Sequence, residues 1–274
     1  MEKENLQVAI SGGRSSAMMS YLIHTSKKYK NYNPVYIFCN TGLERPETIE
    51  FLKDIEKYWG IEIHFIQGVY SLIKGVGVKA IRVKANDLDM KGKTFFKMVK
   101  HFNKHGHKGL PSSAMPYCSG YLKQFVAHAY LRDQLNIKKY KIALGFRAED
   151  MPKRVSWAEV NQSDKYIYPL LTHYNMPINN KSLNKFWSKQ KFRLRIDSAL
   201  GNCALCWKKS EKNLIQNLRV AGHNAEMWEE LEKRFNDTSF RDYRSITDLV
   251  KLAESGVQLK AFSDEDLGAC FCGG

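Results

Sequence analysis

Long apolar runs are absent from this chain of 274 residues. No stretch approaches the roughly 20 consecutive apolar residues that a membrane-spanning helix needs, which excludes a transmembrane protein. The first residues, MEKEN, lead into an apolar stretch of only a few residues, so we predict no signal peptide. Internal repeats and low-complexity tracts are absent as well. The sequence therefore predicts a globular cytoplasmic protein that has no membrane partner.

Disulfides are not expected, because a cytoplasmic protein rarely keeps a framework of oxidised cysteines. The six cysteines are instead clustered. Cys203 and Cys206 form a C-x-x-C pair, and Cys270 and Cys272 form a C-x-C pair. Cys118 precedes a helical pattern. Clustering of this kind favours metal or redox chemistry over packing.

Acidic residues are scarce relative to basic ones. The chain has 28 Asp and Glu against 43 Lys and Arg, which gives a formal charge of +15. Such a charge predicts attraction to polyanions, namely nucleic acid, nucleotides or sulfated small molecules. A basic, well-solvated surface without a specific partner is the alternative interpretation.

Short apolar runs alternate with helical patterns through the first 150 residues. This alternation predicts an α/β fold with a doubly wound, mostly parallel sheet. Ligands of such sheets bind beyond the carboxyl ends of the strands. The predicted strands are Leu6–Ile10, Val35–Cys39, Ile61–Ile66 and Lys141–Phe146, and predicted helices include Ser16–Ser26, one beginning near Pro46, and one around Leu122–Leu135.

We predict two regions. Residues 1–175 form the nucleotide-binding α/β domain, and residues 176–274 form a helical C-terminal region that carries the C-x-x-C and C-x-C motifs. A basic insertion occupies about residues 74–116, where positions 74–108 contain ten Lys and Arg against two Asp. Because phenylalanines such as Phe95, Phe96 and Phe102 are interleaved with these cations, the insertion has the composition of a nucleic-acid grip. A mobile, solvated loop explains the same composition.

A glycine turn follows the first predicted strand. It is the segment SGGRSS, residues 11–16, and a helix is predicted directly after it. Glycines let backbone N–H groups approach an anion, and the helix N-terminus adds positive potential. The sequence therefore predicts a phosphate-binding loop formed by Ser11, Gly12, Gly13, Arg14, Ser15 and Ser16.

Several motifs, taken in chain order, resemble the PP-loop adenine-nucleotide alpha hydrolases. The closer resemblance is to the phosphoadenosine-phosphosulfate (PAPS) reductase-like branch, including its cysteine-rich members often encoded by phages. The matching segments are Ser11–Ser16, Phe38–Gly42 with Glu44 and Pro46–Thr48, Tyr117–Ser119 with Lys123, Gly145–Asp150 with Arg154, Tyr168–Leu170, Gly201–Cys206 and Ala269–Cys272.

The resemblance implies which residues form the site. It implies a HUP-type α/β fold in which an adenine nucleotide (ATP, PAPS or adenosine phosphosulfate, APS) is bound by residues 11–16. Further nucleotide-binding residues would be Asn40, Thr41, Gly42, Gly145, Arg147 and Arg154. Arginine forms bidentate pairs with phosphate and sulfate, so Arg147, Lys123 and Arg154 are expected to clamp the oxyanions. Arg147, Lys123 and Cys272 are the candidate catalytic residues. A surface ion pair between Arg147 and Glu149 is the structural alternative.

Two departures from the family pattern affect the chemistry. Arg14 and Ser15 stand where ATP pyrophosphatases of this superfamily have Lys and Asp, and Asn40 stands where Asp is frequent. Without these acids the chain lacks groups that direct Mg²⁺, so the usual cleavage of ATP is disfavoured. The chain ends Cys272-Gly273-Gly274 and lacks the histidine of the reductase tail.

The cysteines predict one soft-metal site. Cys203 and Cys206 can chelate one metal from a turn, and a complete site needs four ligands. Cys118 and either Cys270 or Cys272 would complete it. The resemblance favours a 4Fe–4S cluster, and structural zinc or a redox dithiol are the alternatives. Cys39 is predicted to be a buried small hydrophobe.

Three functions remain in competition. The first is reduction of a sulfonucleotide such as PAPS or APS with an external electron donor. The second is ATP-dependent thiolation of tRNA, or phosphorothioation of DNA, beside a 4Fe–4S cluster. The third is a catalytically silent nucleotide or nucleic-acid binder. The reductase interpretation is preferred because of the family resemblance and the missing acids.

Overall fold

A computed structural model describes residues 3–112, 114–197, 200–201, 203–220, 224–235, 240 and 244–256. The strands are β1 (Glu4–Ala9), β2 (Tyr32–Asn40), β3 (Ile63–Val69), β4 (Lys79–Arg82), β5 (Lys141–Ala143) and β6 (Tyr166–Ile167). The α-helices are α1 (Arg14–Thr25), α2 (Pro46–Trp59), α3 (Lys93–Lys104), α4 (Phe125–Asp133), α5 (Trp157–Gln162), α6 (Pro169–Thr172), α7 (Asn180–Trp187), α8 (Glu211–Leu218), α9 (Ala225–Arg234) and α10 (Ile246–Glu254). Cys270 and Cys272 lie outside the described residues.

The strands form one sheet in the order β4-β3-β2-β1-β5-β6. Each neighbouring pair is parallel, except that β4 runs antiparallel to β3. From β1 the chain continues to β2 on one side, whereas β5 lies on the other side of β1, so the strand order reverses between β1 and β5. The fold is therefore α/β with a doubly wound, mostly parallel sheet, and this prediction is confirmed.

Helices cover both faces of the sheet. On one face α1, α2 and α7 bury residues such as Met19, Phe51 and Trp187 against β1 and β2. On the other face α4 buries Val126 and Tyr130 against the central strands. Parallel strands buried on both faces have continuous apolar sequences, which is why β1, β2 and β3 could be recognised from sequence.

One strand prediction was wrong at its C-terminal end, and two edge strands were not predicted. The strand expected at Lys141–Phe146 ends at Ala143, because the chain then leaves the sheet and passes close to the loop after β1. The short edge strands β4 and β6 were not predicted. Ala80 is the buried residue of β4, so this strand has no apolar run to detect.

The basic insertion is not a solvated loop over its whole length, which corrects that alternative. It contains β4 and the amphipathic helix α3, whose side chains Phe95, Met98 and Phe102 are buried. Phe95 and Met98 pack in a cluster with the C-terminal helices α8, α9 and α10, whereas Phe102 stacks on Tyr117 with ring centroids 3.5 Å apart. Phe95 and Phe102 are therefore core residues, and they are not available for stacking on nucleic-acid bases.

The helices of the described part of the chain do not include one that is both long and apolar enough to cross a membrane.

Candidate nucleotide and thiol site

The loop after β1 lies at the switch point of the sheet. There β1 and β5 are hydrogen-bonded neighbours, and the chain leaves their carboxyl ends towards opposite sides. Open α/β sheets bind ligands in the crevice that such a reversal creates. The predicted phosphate loop, residues 11–16, therefore occupies the position at which this class of fold binds its ligand.

Internal hydrogen bonds hold the loop in shape. The Ser16 hydroxyl donates to the Gly13 carbonyl oxygen at 3.0 Å and accepts from the Ser11 backbone N–H at 3.1 Å. Gly12 has a φ of +75°, a conformation that favours glycine. Gly13, Arg14 and Ser15 remain partly exposed, so the loop is not packed shut against its neighbours.

The first turn of α1 is suited to an anion. Gly13 is its N-cap and supplies no side-chain hydrogen bond, and the first turn contains no acidic residue. The positive end of the helix dipole is thus left without a compensating carboxylate. An anionic group placed at Gly13–Ser15 would interact favourably with it.

Gly145 brings the chain after β5 against this loop. A Cβ atom at Gly145 would lie 3.0 Å from the Ser16 Cα and 3.1 Å from the Ser16 nitrogen. Both neighbours are backbone atoms, which cannot rotate away. Glycine at this position therefore permits the close approach of the two segments that form the crevice.

Two arginines lie together at the loop and are held by one helix. Arg14 donates a hydrogen bond to Asn184, and Arg147 donates one to Asn180. The two asparagines are four residues apart on α7 and therefore share one face of it. Burial lowers the pKa of Arg14, and the positive charge of Arg147 lowers it further, so the two cations are near neighbours.

Acidic residues lie on the other side of Arg147. Its Nε is 3.8 Å from Asp150 Oδ2 and 3.9 Å from Glu149 Oε2. Asp150 also binds Arg154, whose Nη1 lies 3.2 Å from Oδ1 and whose guanidinium stacks 4.6 Å above the Phe146 ring. The ion pair of Arg147 with Glu149 that sequence offered as an alternative is therefore present, and it coexists with the placement of Arg147 at the loop.

A buried turn follows β2. Asn40 accepts a hydrogen bond from the Gly42 N–H at 2.7 Å, and its amide donates to the Asp89 carbonyl oxygen at 3.1 Å. Glu44 accepts from the Thr41 hydroxyl at 2.6 Å and from the Gly42 N–H at 3.1 Å. Burial raises the pKa of the Glu44 carboxyl, and its hydrogen bonds with Thr41 and the charge of Lys123 oppose that effect. The turn is rigid because most of its polar groups are engaged.

Three cysteines meet beside this turn. Cys118, Cys203 and Cys206 are all buried and line one cavity together with Thr41 and Lys123. The Thr41 hydroxyl lies 3.4 Å from the Cys203 sulfur. The Ala204 N–H donates to the Leu43 carbonyl oxygen at 2.9 Å, which fixes the C-x-x-C segment to the turn. We call this space the thiol cavity.

Lys123 enters the cavity from a π-helical turn, Gly120–Gln124, directly before α4. Such turns occur mostly as single insertions in α-helices and are frequent at functional sites. The Lys123 carbonyl oxygen accepts from the Cys39 thiol at 3.7 Å. Burial raises the pKa of Cys39 to about 12, so this thiol remains protonated near neutral pH. Cys39 packs beside α4 but is only partly buried, which corrects the prediction of a buried side chain.

The donor set of the thiol cavity fits a soft metal centre. Three cysteine thiols line it, and the described residues of its lining include no histidine or carboxylate. The cavity is narrow, about 20 Å³, and within the described part of the chain no three His, Cys, Asp or Glu side chains form a metal site as they stand. Metal binding therefore requires the thiols to turn towards a common centre.

Sequence reasoning did not find the contribution of α7. Asn180 and Asn184 contact the two arginines, and the Trp187 indole N–H donates to the Arg14 carbonyl oxygen at 3.2 Å. The i, i+4 spacing of the asparagines was the available signal. That spacing alone does not predict contacts with Arg14 and Arg147, because the contacts depend on packing between segments far apart in the chain.

The sheet and its loop define the class of this protein: an α/β fold of the PP-loop type with a glycine turn at the switch point. Residues 5–172 match the phosphoadenosine phosphosulfate reductase domain, which is more than half of the chain. The chain belongs to this family. The matched residues include the loop, the turn after β2, Cys118 and Gly145, and they end before α7 and the C-x-x-C segment.

Two individual proteins are similar to the chain. The uncharacterized nin region protein ORF290 of Escherichia phage lambda is 27% identical over 210 residues, which are 76% of this chain and 67% of the phage protein. The U34-tRNA thiolase NcsA from Methanococcus maripaludis, solved with its 4Fe–4S cluster, has 16% sequence identity and a TM-score of 0.39. That likeness covers 95% of this chain and 75% of the thiolase.

Proposed function

We propose that the chain binds an adenine nucleotide that carries a sulfate, as PAPS and APS do, and reduces that sulfate to sulfite. The observation that carries the proposal is the pair of arginines, Arg14 and Arg147, beside an anion-binding loop. A sulfonucleotide presents phosphate and sulfate oxygens within one small molecule. Two adjacent guanidinium groups match such a ligand, because each forms charge-assisted hydrogen bonds with oxyanions.

The carboxylates near the loop support a sulfonucleotide over ATP with Mg²⁺. Asp150 binds Arg147 and Arg154, Glu149 lies beside Arg147, and Glu44 accepts hydrogen bonds within its own turn. The groups that would direct Mg²⁺ in an ATP pyrophosphatase are thus engaged elsewhere or replaced by Ser15 and Asn40. The geometry favours a reaction that needs cationic side chains and no metal-bound triphosphate.

The proposed chemistry needs one nucleophilic thiol. A cysteine thiolate, for which Cys272 is the candidate, attacks the sulfate sulfur. A sulfur–sulfur bond forms, the bond between sulfur and the bridging oxygen breaks, and the adenosine phosphate leaves. An external dithiol then attacks the modified cysteine, is oxidised to a disulfide and releases sulfite. Arg147 and Lys123 would stabilise the oxyanions during the first step.

We also propose that Cys118, Cys203, Cys206 and Cys270 hold a 4Fe–4S cluster in the thiol cavity, because Cys272 is the proposed nucleophile. Thiolates that bind separate irons of a cluster stand further apart than thiolates that share one zinc ion. The three described thiols line one cavity whose described lining offers no histidine or carboxylate, and a set of thiolates alone suits such a cluster. When bound, such a cluster would supply redox-active iron close to the reacting sulfur.

The reaction is tested by its products. The full chain, purified without oxygen, is incubated with PAPS or APS and a dithiol reductant, and sulfite is measured. We expect sulfite together with the corresponding adenosine phosphate. Pyrophosphate from ATP without sulfite from either sulfonucleotide would overturn the reductase in favour of thiolation, and nucleotide binding without any product would indicate a silent binder.

ATP-dependent thiolation of nucleic acid is the second candidate. It is favoured by the charge of +15, which is more than a small-molecule reductase requires. The thiol cavity serves this reaction equally well, because sulfur insertion also needs a sulfur-binding centre beside the activated nucleotide. Sulfur from a labelled donor would then appear in tRNA or DNA in a reaction that depends on ATP.

Arg147→Ala is expected to weaken binding of the sulfonucleotide by about tenfold or more, because a charge-assisted hydrogen bond to an oxyanion is lost. Titration calorimetry measures the affinity, and thermal unfolding shows whether the fold persists. Arg82→Ala is the matched control, since Arg82 pairs with the exposed Glu62 on the edge strand β4. Equal affinities of the two variants would remove Arg147 from the nucleotide site.

A further inference from the structure

A second cleft is lined in part by α4. It has a volume of about 370 Å³, within the range of small-molecule and nucleotide sites. Three segments form its walls: the connection from β3 to β4, the end of α3, and one face of the π-helical turn and α4. We call it the α4 cleft. It shares no lining residue with the thiol cavity.

The face of α4 in this cleft carries aromatic groups at one end and a cation at the other. Tyr121, Phe125 and Arg132 all line the cleft, and their spacing places them along one helical face. The Tyr121 and Phe125 rings are 5.1 Å apart at 87°. Phe125 is 48% exposed although it is a large apolar side chain, so its ring presents an open surface to a ligand.

Imidazoles form the second wall. His101 and His105, from the end of α3, have ring centroids 4.1 Å apart, and His101 lies 5.9 Å from the Tyr121 ring. His105 Nε2 is buried and has no hydrogen-bond partner within the described residues. A buried polar nitrogen without a partner costs free energy unless a ligand or water satisfies it.

The third wall is the connection from β3 to β4, which is exposed at Gly75 and Gly77. A Cβ atom at Gly75 or Gly77 would meet nothing within 4 Å, so the main chain there is accessible to a ligand. The segment also brings lysines, because Lys74 and Lys79 flank the glycines. Among the described residues that line the cleft there is no Asp or Glu, although Asp133 pairs with Arg132 at its edge.

We infer that the α4 cleft binds one base and its phosphate from a single-stranded nucleic acid. Bases of any sequence stack on exposed aromatic rings, and a groove of cations follows the phosphates. Phe125 and Tyr121 provide the stacking surface, His105 Nε2 provides a hydrogen bond to the base, and the lysines that flank Gly75 and Gly77 meet the phosphate. A nucleic acid is an anion and therefore matches the formal charge of +15 of the chain. An acidic protein would also match this charge, but it has no bases to stack on Phe125 and Tyr121.

The test is binding of a fluorescent oligouridylate of about twelve nucleotides to the full chain, followed by anisotropy with saturating ATP present. ATP occupies the adenine-nucleotide loop, and the uracil base differs from the adenine that this site is proposed to bind, so the oligonucleotide does not bind there. We expect binding that weakens as salt is added, and a loss of about tenfold in Phe125→Ala. Phe125→Trp should retain the affinity, since it keeps a stacking surface.

Trp157→Ala is the matched control, because Trp157 is 49% exposed on α5 and lies outside the cleft. It should bind the oligonucleotide as the unchanged protein does. Equal affinity in Phe125→Ala and Trp157→Ala would overturn the inference. Binding of polyglutamate with the same dependence on Phe125 would also overturn it. Neither result bears on sulfite release, so this proposal and the proposed function fail separately.

Discussion

A Cys118→Ser chain purified without oxygen is expected to be colourless, whereas the unchanged chain is expected to be brown and to absorb near about 400 nm. Cys118 lies on the wall of the thiol cavity that faces the C-x-x-C segment, and it comes from a different part of the chain than Cys203 and Cys206. Serine keeps the size of the side chain but is a poor ligand for iron. Its substitution removes one ligand without creating a large cavity.

Iron and sulfide analysis measures the result. The unchanged chain should contain about four irons, and the variant should contain a small fraction of that. Cys39→Ser is the control, because the Cys39 thiol bonds to the Lys123 carbonyl oxygen and does not line the cavity. A colourless, unchanged chain with stoichiometric zinc would contradict the cluster, and full iron in Cys118→Ser would exclude Cys118 as a ligand.

Gly145→Ala is expected to abolish or strongly weaken nucleotide binding while leaving the protein folded. The added methyl group would lie 3.0 Å from the Ser16 Cα, so the backbone of the loop must move. Overpacking of this kind costs about 1–3 kcal/mol. The cost is imposed on the loop that would bind the nucleotide, so the affinity for PAPS, APS or ATP should fall by about tenfold or more.

Gly77→Ala provides the comparison, because a methyl group there meets nothing within 4 Å and Gly77 has no positive φ. Titration calorimetry with each nucleotide and thermal unfolding of both variants separate binding from stability. If Gly145→Ala binds nucleotide like Gly77→Ala, the contact between β5 and the loop is not part of the nucleotide site.

The central fold could be predicted because its information is local. Leu6 and Val8 of β1, and Ile37 and Phe38 of β2, are fully buried, so each strand appears as an apolar run. Helix α2 begins at Pro46 and ends before Gly60, which has a φ of +66° and is the expected stop signal. The edge strands β4 and β6 lack these signals, since they bury few side chains.

The site was predictable to the extent that its residues are contiguous. The loop at residues 11–16 was expected after β1, and it lies there at the switch point. The gathering of Cys118 with Cys203 and Cys206 was also anticipated, because soft ligands from distant segments form shared centres. Whether these groups bind a nucleotide and a cluster remains a prediction.

Other parts of the site required three-dimensional packing. The contact of Asn184 with Arg14 joins residues 170 positions apart, and no local pattern specifies it. Phe95 and Phe102 were assigned to a nucleic-acid grip from composition, yet both side chains are buried. Composition cannot tell which face of an amphipathic helix is covered until its partner helices are placed.

The turn after β2 connects the carboxyl-end edge of the sheet with the C-x-x-C segment that lines the thiol cavity. Asn40 is the last residue of β2, and its side chain accepts a hydrogen bond from the Gly42 N–H. The Leu43 carbonyl oxygen accepts a hydrogen bond from the Ala204 N–H, which holds the C-x-x-C segment against the turn. A nucleotide bound at the loop and a metal centre in the thiol cavity, both of which we propose, would therefore be separated by the four residues from Asn40 to Leu43.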